Sequence, residues 1–542
     1  MSADYVIKSN CMFTGLEKEP CPGGVAVKGN KIIAVGPFDV VDAEIGDETK
    51  VYEFEDKLLL PGLVESHAHF IEGAMAESKY FVENLEKFTS KEDIAAVVKK
   101  FHDENPDLRM ILGTGWFNPS WDDPTLPTKE DLDEASPDIP VILTSADMHT
   151  GWLNSAALKW VGVPEDPAQQ AFPELVGKNP DGSLSGILFE QAFMHYYMGK
   201  IYCMDEQENE EIRGNLLEII ARCGVTMWDE VSGHLPNRLF DFYDFKKLND
   251  AGKLTMRINW SPGLQPDGDY SEALRLKEEA GDGLIRVNSV KSLLDGVTPT
   301  YTACMMEPYT DDPTTCGGEP TLAYDDFERG IIAANANGFG VRVHAIGDKS
   351  VHWCINAYEK SNEVNDAANK GIKNAIEHIE TILPEDIPRI AANGIVAAMQ
   401  PEHLPQDKND KIAKLGPERA KTEWAFKSIQ DAGAVLAFGS DYPVATFSPF
   451  SGMYYAVTRN SYEGEPTGIN PEEKMSLYDT VRAYTYGGAY VSDREDELGT
   501  LEVGKLADLA VLDRNIFAID IEDIKDTQSV LTMVDGKIVY EA

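Results

Sequence analysis

The chain has 542 residues, of which 43% are hydrophobic and 26% charged, as in a globular protein with a large core. Its 92 acidic and 48 basic residues give a formal net charge of −44. Such a surface repels phosphate backbones and anionic lipids, so we expect no nucleic-acid or membrane partner. The seven cysteines include no C-x-x-C pair, and no signal peptide or long apolar segment is evident, so we expect a cytoplasmic protein.

Both ends of the chain predict short β-strands joined by tight turns. Two apolar runs flank Lys28-Gly29-Asn30-Lys31 near the start, and Asp535-Gly536 separates two more near the end. Chain termini often lie close together in a folded domain. We therefore expect residues 1–57 and 496–542 to build one small β-sandwich domain together.

The middle of the chain predicts a parallel sheet, because short continuous apolar runs alternate with helical patterns. The eight predicted strands are residues 58–67, 224–230, 254–260, 287–295, 340–344, 374–380, 395–401 and 435–441. Eight βα units predict an α/β fold of the TIM (β/α)8 barrel type over residues 58–495. The interval after the first strand is too long for one crossover, so about residues 70–215 are expected to form a structured insertion.

Residue types that bind metals recur where the predicted strands end. The first strand ends in His67-Ala68-His69, and residues i and i+2 of a strand point to the same side, so both imidazoles can reach one point. Four more such residues stand on later strands or at their ends: Lys291, His344, His378 and Asp441. Each alone has an ordinary structural interpretation. Because the strands of a barrel present their carboxyl ends at one face, the six together favour a metal site.

The motifs around these residues resemble those of the amidohydrolase superfamily of metal-dependent hydrolases. They are most similar to its family 3, which includes N-substituted formamide deformylases. The motifs are PGLVESHAHF, VKSLLDG, VRVHAIGD, IEHIE, MQPEH and AFGSDYPV, with TSADMHTGWLNSAALKWVG and PDGSLSGILFE in the insertion and LGTLEVGKLADLAVLDRNIF near the end. The resemblance covers nearly the whole chain. One departure is SLLDGVTP, where F-x-D-G-S is commoner, so substrate contacts there are expected to differ.

The resemblance implies a divalent-metal centre. Its ligands would be His67, His69, Lys291, His344, His378 and Asp441. We expect zinc, as one or two ions, although imidazole and carboxylate ligands also suit manganese, iron and nickel. The resemblance also implies that Lys291 carries a carbamate that bridges two metals, since burial favours the neutral amine from which a carbamate forms. The alternative is an unmodified lysine beside one metal.

The implied reaction is hydrolysis of an amide-type C–N bond, in an N-substituted formamide or another N-acyl compound, by attack of a metal-bound hydroxide. Asp441 is expected to take a proton and pass it to the leaving amine. His149 is a second candidate catalytic residue and, like His403, a candidate substrate contact, each with a structural role as the alternative. Trp116 is a candidate for lining the substrate pocket, and Asp348 for orienting a metal ligand.

Other functions remain open. A deaminase or an ester or carbamate hydrolase can use the same fold, and a binding protein can retain the fold without catalysis. Deaminases of the superfamily usually carry H-x-x-E after the fifth strand, whereas this chain reads His344-Ala-Ile-Gly347-Asp348. A binding protein would have lost ligand residues, yet all six are present. We expect a small-molecule substrate and, at the level of the family, a homodimer.

Overall fold

The computed structural model describes residues 2–82, 85–118, 121–146, 150–201, 206–231, 241–407, 410–462 and 464–542. The chain divides into two compact units. The first unit contains both ends of the chain and nearly all residues after 216. The second unit is built mainly from residues 71–216.

Strands from both ends of the chain form a seven-stranded mixed sheet in the first unit. In spatial order they are Lys537–Glu541, Ser529–Val534, Leu509–Leu512, Lys50–Pro61, Tyr5–Met12, Cys21–Lys28 and Lys31–Gly36. Neighbouring strands are antiparallel, except that Tyr5–Met12 and Lys50–Pro61 are parallel. Alternate residues of these strands fill one apolar core, which includes Ile7, Val25, Leu59, Val511 and Leu531.

The edge strand Lys31–Gly36 also bonds to the segment that leads into Leu509–Leu512. Ile32 N donates to Lys505 O at 3.0 Å, and Gly504 N donates to Ile32 O at 2.8 Å. A tight turn lies close by: Gly536 has a φ of 73°, and a Cβ there would lie 1.9 Å from Gly29 O. Only glycine fits this contact, which explains the Asp-Gly turn of the sequence.

Parallel strands form two further sheets in the same unit. The four-stranded sheet contains Leu63–Ala68, Val225–Glu230, Arg257–Trp260 and Ile285–Arg286, and the five-stranded sheet contains Ser289–Leu293, Gly340–Ala345, Ala375–His378, Val396–Met399 and Leu436–Phe438. Backbone hydrogen bonds connect the two sheets at both sides. Lys291 N donates to Pro262 O at 2.7 Å on one side, and Asp441 N donates to His67 O at 2.8 Å on the other.

Helices alternate with the parallel strands. They are Glu206–Arg222, Phe242–Asp250, Ser271–Ala280, Tyr324–Ala336, Asp348–Asn365, Ile387–Ala392, Asp410–Arg419, Phe426–Asp431, Pro449–Thr458, Leu477–Arg482 and Gly488–Val491, and the terminal sheet adds Phe38–Asp42. The helix Tyr324–Ala336 buries Phe327, Ile331 and Ala334, which are spaced by four and three residues and therefore share one face. Among the described residues, no helix is both long and apolar enough to cross a membrane.

Each predicted strand of the middle region overlaps a strand of the structure, but the first is divided. The sequence predicts one strand over residues 58–67, whereas Lys50–Pro61 belongs to the terminal sheet and Leu63–Ala68 to a parallel sheet. Gly62 lies between them, and a Cβ there would meet Thr226 Oγ1 at 2.1 Å. Pro61 lacks an N–H for continued pairing. The chain therefore leaves the terminal sheet and enters the parallel sheet at Pro61-Gly62.

The second unit contains a six-stranded sheet. In spatial order its strands are Val176–Lys178, Leu184–Phe189, Thr150–Leu153, Val141–Ser145, Ile111–Trp116 and Phe81–Val82. Its helices are Phe70–Ala76, Lys91–Glu104, Lys129–Asp133, Ser155–Val161 and Glu190–Ile201. Three indole rings pack in its core, with the centroid of Trp116 5.9 Å from that of Trp121 and 6.0 Å from that of Trp152.

Candidate metal centre

His67 and His69 face the same carboxylate, that of Asp441. His67 lies on the strand Leu63–Ala68, and its Nε2 is 3.4 Å from Asp441 Oδ1. His69 follows this strand, and its Nε2 is 2.9 Å from the same oxygen. The spacing of two residues therefore places both imidazoles beside one oxygen.

His344 and His378 supply two further imidazoles, and the ring of His378 lies close to that of His67. The ring centroid of His378 is 4.9 Å from that of His67 and 4.4 Å from that of His344. Both ring nitrogens of His378 are buried and have no hydrogen-bond partner within the described ranges. Buried polar atoms nearly always have a partner, so these nitrogens indicate a ligand that the protein chain does not supply.

The backbone is strained at two of these residues. His378 has a φ of 73° and Asp441 a φ of 59°, in the left-handed region that non-glycine residues rarely adopt. Such a conformation costs on the order of 1–3 kcal/mol and persists where the surrounding structure holds it. Here the backbone bond from Asp441 N to His67 O, at 2.8 Å, ties one strained residue to the first parallel strand.

These donor atoms fit a divalent metal. One ligand atom from each of His67, His378 and Asp441 lies within 4.8 Å of the others, and all three residues are buried. Burial lowers the pKa of His344 to about 3 and lowers the pKa of His378 well below its usual value, so both rings are neutral and offer a lone pair. Burial alone would raise the pKa of Asp441, but His67 and His69 lower it well below its usual value. Neutral imidazoles with an anionic carboxylate are the donor set that zinc and similar metals use.

Lys291 lies on the strand Ser289–Leu293 and is only 2% exposed. Its register partner on the next strand is Arg342, which is fully buried. Burial lowers the pKa of Lys291 to about 8; Arg342 adds to this effect, while Glu377 and Asp441 oppose it. Because a guanidinium keeps its proton, a charged ammonium beside it would be repelled.

A charged network that the sequence analysis did not identify touches His67. Glu377 Oε2 accepts a hydrogen bond from His67 Nδ1 at 2.5 Å. Glu377 Oε1 accepts another from Arg342 Nε, and Asp229 Oδ2 accepts one from Arg342 Nη1, both at 2.6 Å. The one signal for these residues in the sequence is a charge inside an otherwise apolar strand, as in Val341-Arg342-Val343.

Asp295 is a further residue that the sequence analysis did not single out. Its carboxylate accepts backbone N–H groups of Cys304, Ile346 and Gly347 at 2.9–3.0 Å, and its Oδ1 lies 3.9 Å from His344 Nε2. Burial raises the pKa of Asp295 to about 7, although these N–H groups oppose the rise. Asp348, a candidate for orienting a metal ligand, accepts the N–H of Met306 at 2.7 Å, and its orienting role stays a prediction.

The remaining candidate residues are His403, Trp116 and His149. His403 follows the strand Val396–Met399, and its Nε2 is 3.7 Å from Asp441 Oδ2. Trp116 belongs to the core of the second unit, where its indole N–H donates to Leu143 O at 2.9 Å. His149 lies outside the described residues. The structure thus brings His403 to the metal-ligand candidates, and the roles of Trp116 and His149 stay predictions.

Most of the chain matches one protein family. Residues 50–540 fit the model of the amidohydrolase family, and the chain belongs to that family. The resemblance noted in the motifs is thereby confirmed. The chain is therefore an amidohydrolase, a hydrolase that acts on carbon–nitrogen bonds.

Three relatives match over almost their full length. Protein LONG AFTER FAR-RED 3 of Arabidopsis thaliana is 30% identical, with 99% of this chain and 92% of that one covered. Putative amidohydrolase YtcJ of Bacillus subtilis is 28% identical, with 98% of each covered. N-substituted formamide deformylase of Arthrobacter pascens is 24% identical, with 97% of this chain and 96% of that one covered.

Solved structures share the fold. A metal-dependent hydrolase from Pyrococcus horikoshii superposes with a TM-score of 0.77 at 20% identity, covering 96% of this chain and 99% of that one. Another from Pyrococcus furiosus gives a TM-score of 0.73 at 24% identity, covering 94% and 99%. The mixed α/β fold predicted from the sequence is confirmed at this level.

Proposed function

We propose that this chain hydrolyses a small amide-type compound, an N-substituted formamide or another N-acyl molecule, with a divalent metal. The observation that carries the proposal is the convergence of His67, His378 and Asp441 on one point. The proposed ligand set is His67, His69, Lys291, His344, His378 and Asp441. Similarity to a formamide deformylase over nearly the whole chain supports the choice of bond.

In this proposal the two parallel sheets are parts of one (β/α)8 barrel over residues 58–495, with an insertion at about residues 70–215. The short strands Ile285–Arg286 and Ser289–Leu293 count as one interrupted strand, so the nine parallel segments make eight barrel strands. The backbone bonds at both seams, from Lys291 to Pro262 and from Asp441 to His67, support closure. Residues 1–57 and 496–542 form the accompanying β-sandwich domain. Its support is the bonding of the edge strand Lys31–Gly36 back to Lys505, which curls the terminal sheet onto itself.

Asp441 is the proposed proton carrier. A bound divalent metal would polarise the scissile carbonyl and lower the pKa of a bound water. Asp441 Oδ1 faces His67 and His69, whereas Oδ2 faces His403 across 3.7 Å. We assign Oδ2 as the atom that accepts a proton and delivers it to the leaving nitrogen, since Oδ1 lies beside the two imidazoles and would be the oxygen that binds the metal with them.

Lys291 is proposed to be carbamylated and to bridge two metal ions. Its register partner Arg342 makes a second buried cation unfavourable at this position. A carbamate replaces the ammonium by an anion and therefore reverses the sign of that interaction. Burial that lowers the pKa of Lys291 to about 8 makes the neutral amine accessible near neutral pH.

An apolar group on the substrate is favoured by Leu293. This residue lies two positions after Lys291 on the same strand, so both side chains are on the same face. It pairs in register with His344 and is 37% exposed. His403, His149 and Trp116 remain proposed substrate contacts, with His149 also proposed to assist catalysis.

Deamination is the weaker alternative. Gly347 occupies the position where the deaminases of the superfamily carry a glutamate, and a Cβ at Gly347 would lie 2.0 Å from Cys304 O. A glutamate at this position therefore requires a different loop. Hydrolysis of an ester or a carbamate uses the same polarised carbonyl and is a third arm of the substrate test.

Zinc is the proposed metal, in one or two ions, because imidazole and carboxylate donors suit it. We place the protein in the cytoplasm, as a possible homodimer acting on a free small molecule. The free thiols of the six described cysteines suit a reducing compartment.

The test combines metal analysis with a substrate screen. Protein purified without chelators is analysed for transition metals and assayed against matched N-formyl, N-acyl, carbamate and ester compounds with apolar or charged substituents. We expect bound metal, preferred turnover of N-formyl or N-acyl compounds, and a preference for apolar substituents. The His378→Ala variant should lose both metal and turnover. Wild-type protein that takes up no divalent metal, or that cleaves only esters, contradicts the proposal.

A further inference from the structure

We infer that Glu377 and Arg342 are positioning residues of the metal centre, which act by fixing the imidazole of His67. The inference rests on the proposed metal centre and concerns two residues outside the six ligand candidates. Both side chains are fully buried, on the neighbouring strands Ala375–His378 and Gly340–Ala345.

The first step is the orientation of His67. Its Nδ1 is 2.5 Å from Glu377 Oε2. The other carboxylate oxygen, Oε1, accepts from Arg342 Nε at 2.6 Å. Because both oxygens of Glu377 accept, the proton of the imidazole sits on Nδ1, and Nε2 carries the lone pair. Nε2 is also the atom that faces Asp441, so Glu377 selects the tautomer and the ring rotation that the metal requires.

The second step is the fixation of Glu377 by Arg342. The guanidinium donates through Nε to Glu377, through Nη1 to Asp229 and through Nη2 to the carbonyl oxygen of Ser66. Ser66 directly precedes His67, so one guanidinium holds both the backbone before His67 and the carboxylate beside its ring. A planar guanidinium with several donors suits this task, whereas a lysine can satisfy fewer of these acceptors.

If Glu377 and Arg342 only stabilised the fold, their replacement would have a different effect from the one we infer. Buried ion pairs contribute little net stability, and breaking one destabilises a fold wherever the pair lies. The ion pair of Arg257 and Asp508 is a matched control. Arg257 donates through Nε and Nη2 to the two carboxylate oxygens of Asp508, at 2.7 and 2.8 Å. Both side chains are 2% exposed. They link the strand Arg257–Trp260 to the terminal sheet and touch none of the ligand candidates in the described structure.

The experiment compares Glu377→Gln with Asp508→Asn. Each change removes one buried negative charge beside an arginine and keeps nearly the same volume. For each purified protein, the metal is removed, thermal unfolding of the apoprotein is recorded, and the zinc dissociation constant is measured by competition with a chromophoric chelator. We expect Glu377→Gln to weaken zinc binding by about 10–100-fold. Asp508→Asn should unfold at a lower temperature but bind zinc as the wild type does.

Arg342→Lys is the second variant, since it keeps the positive charge but loses the planar guanidinium with its several N–H donors. It should weaken zinc binding toward the lower end of that range, and it serves alone if Glu377→Gln fails to fold. Unchanged zinc affinity in the folded variants would overturn the inference, as would equal losses in Asp508→Asn. Absence of zinc binding by the wild type would instead refute the proposed metal centre, so the two failures are distinguishable.

Discussion

At the scale of single residues, the proposed mechanism gives Asp441 two tasks, one for each carboxylate oxygen. Oδ1 lies beside His67 and His69, and Oδ2 lies beside His403. One oxygen can therefore serve the metal while the other moves a proton. The φ of 59° at Asp441 is a strained backbone conformation, and the surrounding structure holds the carboxylate in position despite that strain.

Replacing Asp441 by asparagine should separate folding from catalysis. The amide keeps the size of the side chain but cannot accept a proton, so we expect kcat to fall by about 10²–10⁴-fold. Metal content should also decrease, because an anionic ligand becomes neutral. The measurements are steady-state kinetics and metal analysis, with Asp250→Asn, at an exposed position of the helix Phe242–Asp250, as the control. Retention of more than half of the wild-type kcat would contradict the assignment of the proton carrier.

Lys291→Ala tests the proposed carbamate. The variant should lose turnover and metal, because the change removes the buried side chain that is proposed to bridge the metals. A short-chain carboxylic acid, such as acetate or propionate, should restore part of both, since its carboxylate can occupy the vacated space. The acid should not restore Asp441→Asn, which serves as the control. A fully active wild-type enzyme whose Lys291 is a free amine by mass analysis under bicarbonate would show that the bridge is not needed.

The sequence predicted the residues at the strand ends but not the network behind them. Periodicity in a strand is local, so the shared face of His67 and His69 follows from their spacing alone. The contact of His67 with Glu377 joins residues 310 positions apart, and it depends on the register of several strands. Likewise, no local sequence pattern predicts the positive φ of His378, which arises from the surrounding structure.

At the scale of elements, the alternation of apolar runs and helices was sufficient to locate the parallel strands. It failed at the boundary between two sheets, because Leu58–Leu60 and Leu63–Val64 are equally apolar on both sides of Gly62. The close approach of Thr226 to Gly62 is a tertiary contact, and it fixes where the chain changes sheet. Pairing of the two chain ends was suggested by their turns, whereas the order of the strands was not.

The turn at Asp535 should make the terminal sheet sensitive to acid. Asp535 Oδ1 accepts from Arg257 Nη2 at 2.9 Å and from Asn30 Nδ2 at 3.0 Å. Burial alone would raise the pKa of Asp535, but these bonds lower it below its usual value of 3.8. The folded state therefore binds this proton less readily than the unfolded state. Its stabilising contribution is complete above pH 3.8 and is lost as the pH falls through the lower folded pKa.

Asp535→Asn should accordingly destabilise the protein by about 1–2 kcal/mol near neutral pH, with a smaller difference from wild type below pH 3.8. Urea denaturation followed by circular dichroism at several pH values measures this difference. Asp47→Asn, at an exposed position of the same region, is the control and should change little. A deficit of Asp535→Asn that stays constant or grows on acidification would show that the carboxylate is not stabilised by these contacts.

At the scale of the whole molecule, charge is the dominant feature. A net charge of −44 must be spread over the exposed surface, where repulsion among carboxylates opposes compaction. Exposed pairs such as Lys99–Asp103 offset little of this repulsion, because a solvated ion pair contributes about 0–1 kcal/mol. Added salt should therefore weaken the repulsion among the carboxylates more than it weakens the attraction within the exposed ion pairs.

We expect sodium chloride to raise the apparent Tm of this protein. The screening length falls from about 30 Å at 0.01 M salt to about 3 Å at 1 M, so repulsion across the surface is largely removed. The increase should be steepest at low salt and should be similar for sodium and potassium chloride, because it depends on ionic strength. Differential scanning calorimetry over this range, with sucrose as a non-ionic control, measures it. Screening accounts for the effect only if chloride salts act at concentrations where sucrose does not. A Tm that is flat in chloride but rises in sulfate would instead indicate exclusion of the salt from apolar surface.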